Sequence, residues 1–436
     1  MKRDVTMVVL TAGIGKRFAP FRTDKTLFPF LGKKVIDYAL PNKLPPEVVR
    51  LVLVVSERNL ETFEAMHFPV PHTVVVQKEA TGMAGALLAA KNELRKKAIL
   101  VVIGDDVADD RLIDTVLQSV RPDVSGVIVG WKPKQYFPGG YLVFREGRPV
   151  GIKEKPGEGK TPSEYVYFGG QYIADADSLI AAIESAPEQT DDRYEHALTA
   201  LMAKDRFVMV PYEREFVSLK YPWHVLDMTE YLLTHRLVAG RGKRVEIRNN
   251  VSIEGPVYLG NNVKIFENTK IVGPVYIGDN TIVGNNNIIR DSIIGENCVT
   301  GFNTDITRSY IGDNCWFHSN YVGDSVLEGD VSMGSGSVLA NLRLDEGEIH
   351  SVVGEQKINT KKTKLGAMIA RGVRIGVNAS VMPGVKIGAN SLIGAGILLD
   401  ADIPADSFCT GKSTLVVKKN TRAVGTNNRD KYKAKI

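Results

Sequence analysis

Cysteine is scarce in this chain, with three residues, Cys298, Cys315 and Cys409, among 436. An odd number at unrelated spacings builds neither a disulfide framework nor a zinc site. Long hydrophobic runs are missing too, for no apolar stretch reaches the ~18 residues that a membrane-crossing helix requires. The amino terminus, MKRDVTMVVLTAG, passes from charge straight into a strand without a small-residue cleavage site. Neither secretion nor membrane insertion is expected, and a cytoplasmic location follows. Charge of one sign is in small excess only. The net charge is +5, and the stretch from Lys412 onward holds eight Lys or Arg against Asp430 alone. The basic surplus therefore belongs to a tail, and no nucleic-acid partner is expected. That tail reads either as a solvated segment or as a phosphate binder.

What is present is a soluble mix, 44% hydrophobic and 24% charged, in a length that suits two domains. From Ile247 an aliphatic residue returns at every sixth position, through Ile253, Leu259, Ile265, Ile271, Ile277, Val283 and Ile289. After a less regular middle the register resumes at Ile369, Ile375, Val381, Ile387, Ile393 and Leu399. Neither the 3.6 period of a helix nor the alternation of a strand produces this rhythm. A parallel β-helix does, each short strand burying one aliphatic residue and LGNN, IGDN or IGEN turning the corner.

The first 230 or so residues follow another pattern. Apolar runs at 5–10, 51–55, 73–76 and 99–103 alternate with helical stretches such as AGALLAAKNELRKK, a βαβα order that predicts a mostly parallel sheet. Ligands of such sheets sit at the carboxyl ends of the strands. There lies VVLTAGIGKRFAP, whose Gly13 and Gly15 let backbone N–H groups approach a phosphate, with Lys16, Arg17 and Lys25 supplying charge. The stretch has neither the GK[ST] ending of a P-loop nor the third glycine of a dinucleotide fingerprint.

LTAGIGKRFAPFRTDKTLFPFLGKKVIDYAL, QKEATGMAGALLAA, VVIGDDVAD, GIKEKP and PWHVLDMTEYLL together resemble, in order, the signature of sugar-1-phosphate nucleotidyltransferases, over residues 4 to 235. The resemblance implies an α/β, Rossmann-like nucleotidyltransferase domain. It places Leu10, Ala12, Gly13, Gly15, Gln77 and Gly82 on the nucleotide, with Gln77 and Gly82 at a pyrimidine edge, favouring UTP or dTTP. Gly140, Glu154, Lys155 and Gly170 fall on the sugar phosphate, and Asp105 and Asp227 on a magnesium ion. Arg17 and Lys25 would cover the β and γ phosphates while a sugar phosphate attacks the α-phosphorus in line and pyrophosphate leaves. Three departures stand out. Thr11-Ala12-Gly13 replaces AGG, Asp24 sits beside Lys25 where the family has Pro-Lys, and Phe168 takes the place of an asparagine that meets an acetamido group.

The six-residue rhythm is similar to the hexapeptide-repeat, left-handed β-helix of acyltransferases and nucleotidyltransferase tails. HSNYVGDSVLEGDVSMGSGSVLANLR resembles the acetyltransferase segment of GlmU-type bifunctional enzymes that make UDP-N-acetylglucosamine, most closely the archaeal-like versions. By that resemblance His318 takes a proton from the attacking amine, Tyr321 and Asn341 orient the sugar and the developing oxyanion, and Ala395 and Gly396 lie against acetyl-CoA. The family's clamp residues are absent from LDEGEIH, and Lys357, Lys361, Lys362 and Lys364 are the candidates to replace them. A homotrimer with acyl sites between subunits is implied by analogy. The expected layout is a nucleotidyltransferase domain at 1–232, a linking helix at 233–245, a β-helix at 246–411 and a basic tail at 412–436. The leading reading is a bifunctional enzyme. Two others are open: a nucleotidyltransferase alone with a β-helix for assembly or regulation, and a non-enzymatic scaffold like the translation-initiation exchange-factor subunits.

Overall fold

A computed structural model describes residues 4–133, 135–188, 192–411, 417–419 and 421. Most of the basic tail at 412–436 thus lies outside the described residues. Among them, nine strands form the main sheet of the first domain. In chain order they are β1 (Val5–Leu10), β2 (Val48–Val55), β3 (His72–Val76), β4 (Ala98–Ile103), β5 (Gly126–Trp131), β6 (Gly140–Arg145), β7 (Arg148–Glu154), β8 (Val166–Ile173) and β9 (Phe207–Tyr212). The path β7-β6-β8-β4-β1-β2-β3 crosses the sheet, and β5 joins β8 to β9. β4, β1, β2 and β3 are parallel, as the apolar runs predict, and β1 is buried along its whole length. Strands covered on both faces must be apolar throughout, hence VTMVVL and AILVVI. The helical stretch AGALLAAKNELRKK breaks at Ala90 into Gly82–Ala89 and Lys91–Leu94, and the left-handed Lys96 turns the chain into β4.

The helix His224–His235 crosses the expected linker, and the chain is already paired into the β-helix at Gly240–Arg241. The helix expected at 233–245 therefore stops at His235. From Gly240 the chain climbs a three-sided prism of parallel strands. Every aliphatic residue of the six-residue series sits in one axial core, with Ile247 and Ile253 packed at its open end. Coils of 18 residues explain the rhythm, as in Ser252↔Lys270. The middle loses it because its coils shorten, pairing Ile288 with Asp305 and then Asp305 with Tyr321.

Corner asparagines show why the turns read Gly-Asn or Gly-Asp. Asn250, Asn262, Asn268 and Asn280 all have φ between 57° and 58° or at 62°, a left-handed conformation that asparagine adopts more readily than other side chains. Their amides then stack from coil to coil, Asn262 Nδ2 donating to Asn280 Oδ1 at 2.7 Å. Cys298 and Cys315 are buried free thiols in the same core. No helix among the described residues is long and apolar enough to cross a membrane.

One side of the prism lies against the first domain. Its outward residues Ile293, Tyr310, Val326 and Met368 join Phe28, Phe30, Trp223 and Met228 in a shared apolar cluster. The Tyr310 ring lies 5.2 Å from both Phe28 and Phe30, and its hydroxyl donates to the Pro29 carbonyl at 2.7 Å. Glu328, 2% exposed, accepts the backbone N–H groups of Arg22 at 2.9 Å, Thr23 at 2.7 Å and Arg371 at 2.9 Å.

Two stability outcomes follow. Ile289→Ala empties part of the axial core, and denaturant titration should show a loss of about 2–5 kcal/mol. Glu328→Ala strips three N–H groups of their acceptor, and the same titration should show a cost of about 1–3 kcal/mol for each group left without water.

Candidate active site

The chain reverses its direction across the sheet beside β1, since β2 and β3 extend to one side and β4 lies on the other. Open α/β sheets bind ligands outside the carboxyl ends of strands at such a point. In register, Leu10 faces Val54 on β2 and Ile103 on β4, so the loop after β1 and the Gly104-Asp105 step after β4 emerge side by side. Thr11 is pinned by its N–H and Oγ1, both donating to the Val54 carbonyl at 2.8 Å. A Cβ on Gly104 would meet Thr11 Cγ2 at 2.6 Å. Glycine is required there for Asp105 to follow so closely on the loop.

Beyond Ala12, which is buried, Gly13 and Lys16 to Arg17 are exposed and Gly15 turns left-handed at φ 62°. Asp24 is held by partners of its own. It caps the turn Lys25–Leu27 by accepting from Thr26 N at 2.9 Å and Thr26 Oγ1 at 2.7 Å, and it pairs with Arg58 at 3.7 Å. The acid that departs from the family pattern is thus committed elsewhere. Lys25 Nζ donates to Asp105 Oδ2 at 2.5 Å.

Three residues here escaped the sequence reading. Asp106 pairs with Ser218 across the short strands Asp106–Val107 and Val217–Ser218, and burial, followed by the charge of Asp105, pushes its carboxyl up to about 7. Lys220 is pushed down by burial and then by Arg17 and Lys155, with Lys25 also in reach. His224, whose Nδ1 lies 3.1 Å from the Ser218 carbonyl, is lowered by burial and feels Asp227, Lys362 and Lys220. Cations from separate loops, Arg17, Lys25, Lys155 and Lys220, therefore share one cleft, an arrangement that suits an anion of several charges. The GDD step and KYPWH were visible beside the chosen residues; only folding shows that they face inward.

Gln77 follows β3 directly, is buried, and donates from Nε2 to the Gly82 carbonyl at 3.3 Å and Thr81 Oγ1 at 3.4 Å. The structure thereby joins Gln77 to Gly82 at the start of the helix Gly82–Ala89. Gly140 faces Glu154 across β6 and β7, and Lys155 Nζ lies 3.0 Å from Glu154 Oε1. Gly170, at φ 95°, forms the irregularity where the pairing of β8 with β5 shifts between Phe168 and Tyr172. That conformation excludes side chains. Phe168 is buried on the far side, its ring 4.6 Å from and stacked on Phe216. Glu195 also enters this neighbourhood: it accepts the Tyr167 hydroxyl, its Oε2 is buried without a partner, and burial raises its carboxyl, with Glu154 adding to the rise.

Asp227, on the helix His224–His235, shares no hydrogen bond with Asp105 among the described residues. Its carboxylate instead accepts from Lys362 Nζ at 2.5 Å. Lys362 is thereby joined to the helix His224–His235 of the first domain. Lys361 pairs with Glu348 at 3.8 Å, and Lys357 lies on a hairpin, His350–Val353 with Gln356–Asn359. Among the described residues no group of three His, Cys, Asp or Glu side chains is placed to hold a metal. Two carboxylates each holding a lysine still fit a hard divalent ion, which uses one or two carboxylates plus substrate phosphates.

On the prism, Tyr321 and Asn341 meet. A Cβ on Gly323 would lie 2.6 Å from both Tyr321 Oη and Asn341 Nδ2. Asn341 also donates to Asp324, which is clamped by Arg308 through Nε at 2.7 Å and Nη2 at 2.8 Å. His318 is exposed on the corner before Tyr321, and no recorded contact joins it to Tyr321 or Asn341. It shares a column of corners with Ala395 and Gly396, linked by Gly336 N to Ser319 O, Asn378 N to Ser335 O and Gly396 N to Val377 O. Asp324 and Arg308 were not singled out, although Asp324 lies within the matched segment and Arg308 ten residues before it.

Residues 6–215 match the nucleotidyl transferase family, and residues 256–291 match the bacterial transferase hexapeptide repeat. A bifunctional protein GlmU of Methanococcus vannielii is 28% identical over 430 residues, 94% of this chain and 99% of that one. A UTP-bound UGPase from Acinetobacter baumannii covers 53% of this chain and 95% of its own at 18% identity and a TM-score of 0.45. A bifunctional sugar-1-phosphate nucleotidylyltransferase/acetyltransferase of Sulfurisphaera tokodaii is 30% identical over 383 residues, 86% of this chain and 92% of that one. With both domain types matched and a relative 30% identical over 86% of the chain, the chain belongs to the family of bifunctional sugar-1-phosphate nucleotidyltransferases/acetyltransferases.

Proposed function

We propose that the first domain transfers a uridylyl or thymidylyl group from UTP or dTTP to a sugar-1-phosphate with release of pyrophosphate, and that the β-helix acetylates glucosamine-1-phosphate from acetyl-CoA. The product of the two steps would be UDP-N-acetylglucosamine. One observation carries this reading: Lys25 rests on the strand-end carboxylate Asp105 beside Asp106, and Arg17, Lys155 and Lys25 all lie within electrostatic reach of Lys220 at the switch point of the sheet. Nucleotidyl transfer requires no protein nucleophile, so positioning and charge neutralisation suffice.

In the proposed reaction Gln77 and Gly82 read the pyrimidine edge, with Leu10, Ala12, Gly13 and Gly15 along the nucleotide. Arg17 and Lys25 stabilise the departing pyrophosphate. Gly140, Glu154 and Gly170 bound the sugar, and Lys155 and Lys220 meet its phosphate. Asp105 and Asp227 would hold Mg²⁺, which would supply Lewis-acid stabilisation of phosphoryl charge. On the β-helix, His318 would accept the ammonium proton, Tyr321 and Asn341 would orient the acceptor, and the corner of Ala395 and Gly396 would face the acetyl donor. Arg308 and Asp324 hold Asn341 in place. Exposed Phe302 (61%) and Trp316 (51%) on adjoining corners and strands support a homotrimer. The burial of Phe168 favours the second reading, a nucleotidyltransferase alone whose β-helix serves assembly or regulation.

Asp105→Asn or Lys25→Ala should lower kcat/KM for pyrophosphate release about 10²–10³-fold, measured with UTP, Mg²⁺ and a panel of sugar-1-phosphates. No release by the wild type with any common nucleotide would leave the scaffold reading standing. Gly323→Ala places a Cβ on Tyr321 and Asn341, and both it and His318→Ala should abolish thiol release from acetyl-CoA with glucosamine-1-phosphate while pyrophosphate release persists. Thiol release retained by His318→Ala would show that the acyl site lies elsewhere.

A further inference from the structure

Between Asn341 and Leu365 the β-helix interrupts its coils with an excursion toward the first domain. Its base is closed by Leu365 N donating to the Asn341 carbonyl at 2.9 Å. Ile349 and Leu365 are buried in the shared cluster with Trp223, Val225 and Met228, and Val353 and Ile358 of the hairpin pack against it. The backbone around Lys362 is held on both sides. Ile349 N donates to the Lys362 carbonyl at 2.8 Å, Lys362 N to Thr360 Oγ1 at 3.3 Å, and Thr360 Oγ1 to the Ile349 carbonyl at 2.6 Å. From this fixed stem Nζ reaches Asp227 Oδ1 at 2.5 Å, the two side chains being 25% and 38% exposed.

The surroundings are those of an anion site rather than of a simple tie between domains. Lys362 and Lys220 both act on the buried His224 ring, and Lys220 in turn is within electrostatic reach of Lys155, Glu154 and Arg17. The charge of Lys362 therefore lies beside that of Lys220, which in turn reaches Lys155 and Glu154, the groups the proposed function assigns to the sugar phosphate. Lys25 shows the same arrangement on the other side, an ammonium resting on a carboxylate at 2.5 Å. A compact charge on a flexible stem can exchange one oxygen partner for another without backbone movement.

We propose that Lys362, carried by the β-helix domain, is a binding residue for the phosphate of the sugar-1-phosphate in the first domain's cleft, resting on Asp227 until that phosphate arrives. This rests on the nucleotidyl-transfer reading of the cleft. The domain thought to serve a separate reaction would thus complete the first one.

Lys362→Met and Lys362→Arg test this, with Lys270→Met as control, because Lys270 lies on the same β-helix and pairs with Glu254 at 3.0 Å. For Lys362→Met, the KM for the sugar-1-phosphate used by the wild type should rise about tenfold with kcat changed less than about threefold, as expected when ground-state and transition-state binding are lost together. Calorimetric binding of the same sugar phosphate should weaken by a similar factor. The thermal midpoint should stay within ~2 °C, since a part-exposed pair contributes little stability. Lys362→Arg should recover most of the affinity, and Lys270→Met should match the wild type. An unchanged KM in Lys362→Met, or a fall in the midpoint with KM unaltered, would show a structural tie and overturn the proposal. If the wild type neither binds nor turns over any sugar-1-phosphate, the reading of the cleft itself fails, and this inference with it.

Discussion

The carboxylate of Glu328 is the constraint on which the arrangement of the two domains depends. It is almost wholly buried and satisfied by three backbone N–H groups, two from the loop that follows the turn at Gly15 and one from the next coil of the prism. A buried carboxylate without such donors is costly, so the loop carrying Arg22 and Thr23 must lie where the β-helix holds it. Lys25 follows two residues later. The prism thereby fixes one end of the segment that places the ammonium on Asp105.

Inside the cleft, charge is balanced internally. Each of the carboxylates Asp105 and Asp227 carries a lysine, and Asp106 is raised by burial and by Asp105. Lys220 and His224 are lowered by burial. An anion entering this space would favour the charged forms of the cations, while the carboxylates give up their lysines to other partners. The acid that departs from the family pattern, Asp24, is spent on capping and on Arg58. The local sequence change leaves the cleft's cations in place.

The β-helix combines a regular core with one edge that carries chemistry. Stacked corners bring His318 into a column with Ala395 and Gly396, although two coils intervene. The shorter coils of 16 and 17 residues in the middle shift Tyr321 against Asp305 and set Asn341 over Gly323. The loss of the six-residue rhythm is thus a consequence of the same stretch holding polar groups, Arg308, Asp324 and Asn341, in contact with one another.

Periodicity and strand-end position were readable in one dimension because they repeat or adjoin. Aliphatic residues at six-residue spacing face one axis whatever else the chain does, and Gly104 and Asp105 follow a buried strand directly. The partnership of Gln77 with Gly82 is local for the same reason. What required the fold was everything joined across long separations. Phe168 turned into the core because the bulge at Gly170 shifts the pairing of β8. Asp106, Lys220 and His224 became neighbours through a two-residue strand pair. Lys362 came to Asp227, 135 residues away, because apolar packing of the excursion decides where its stem lies. Sequence by itself determined which residues could be buried and which could carry charge; tertiary structure alone decided which charges meet, since contact between distant segments is set by packing that no local pattern encodes.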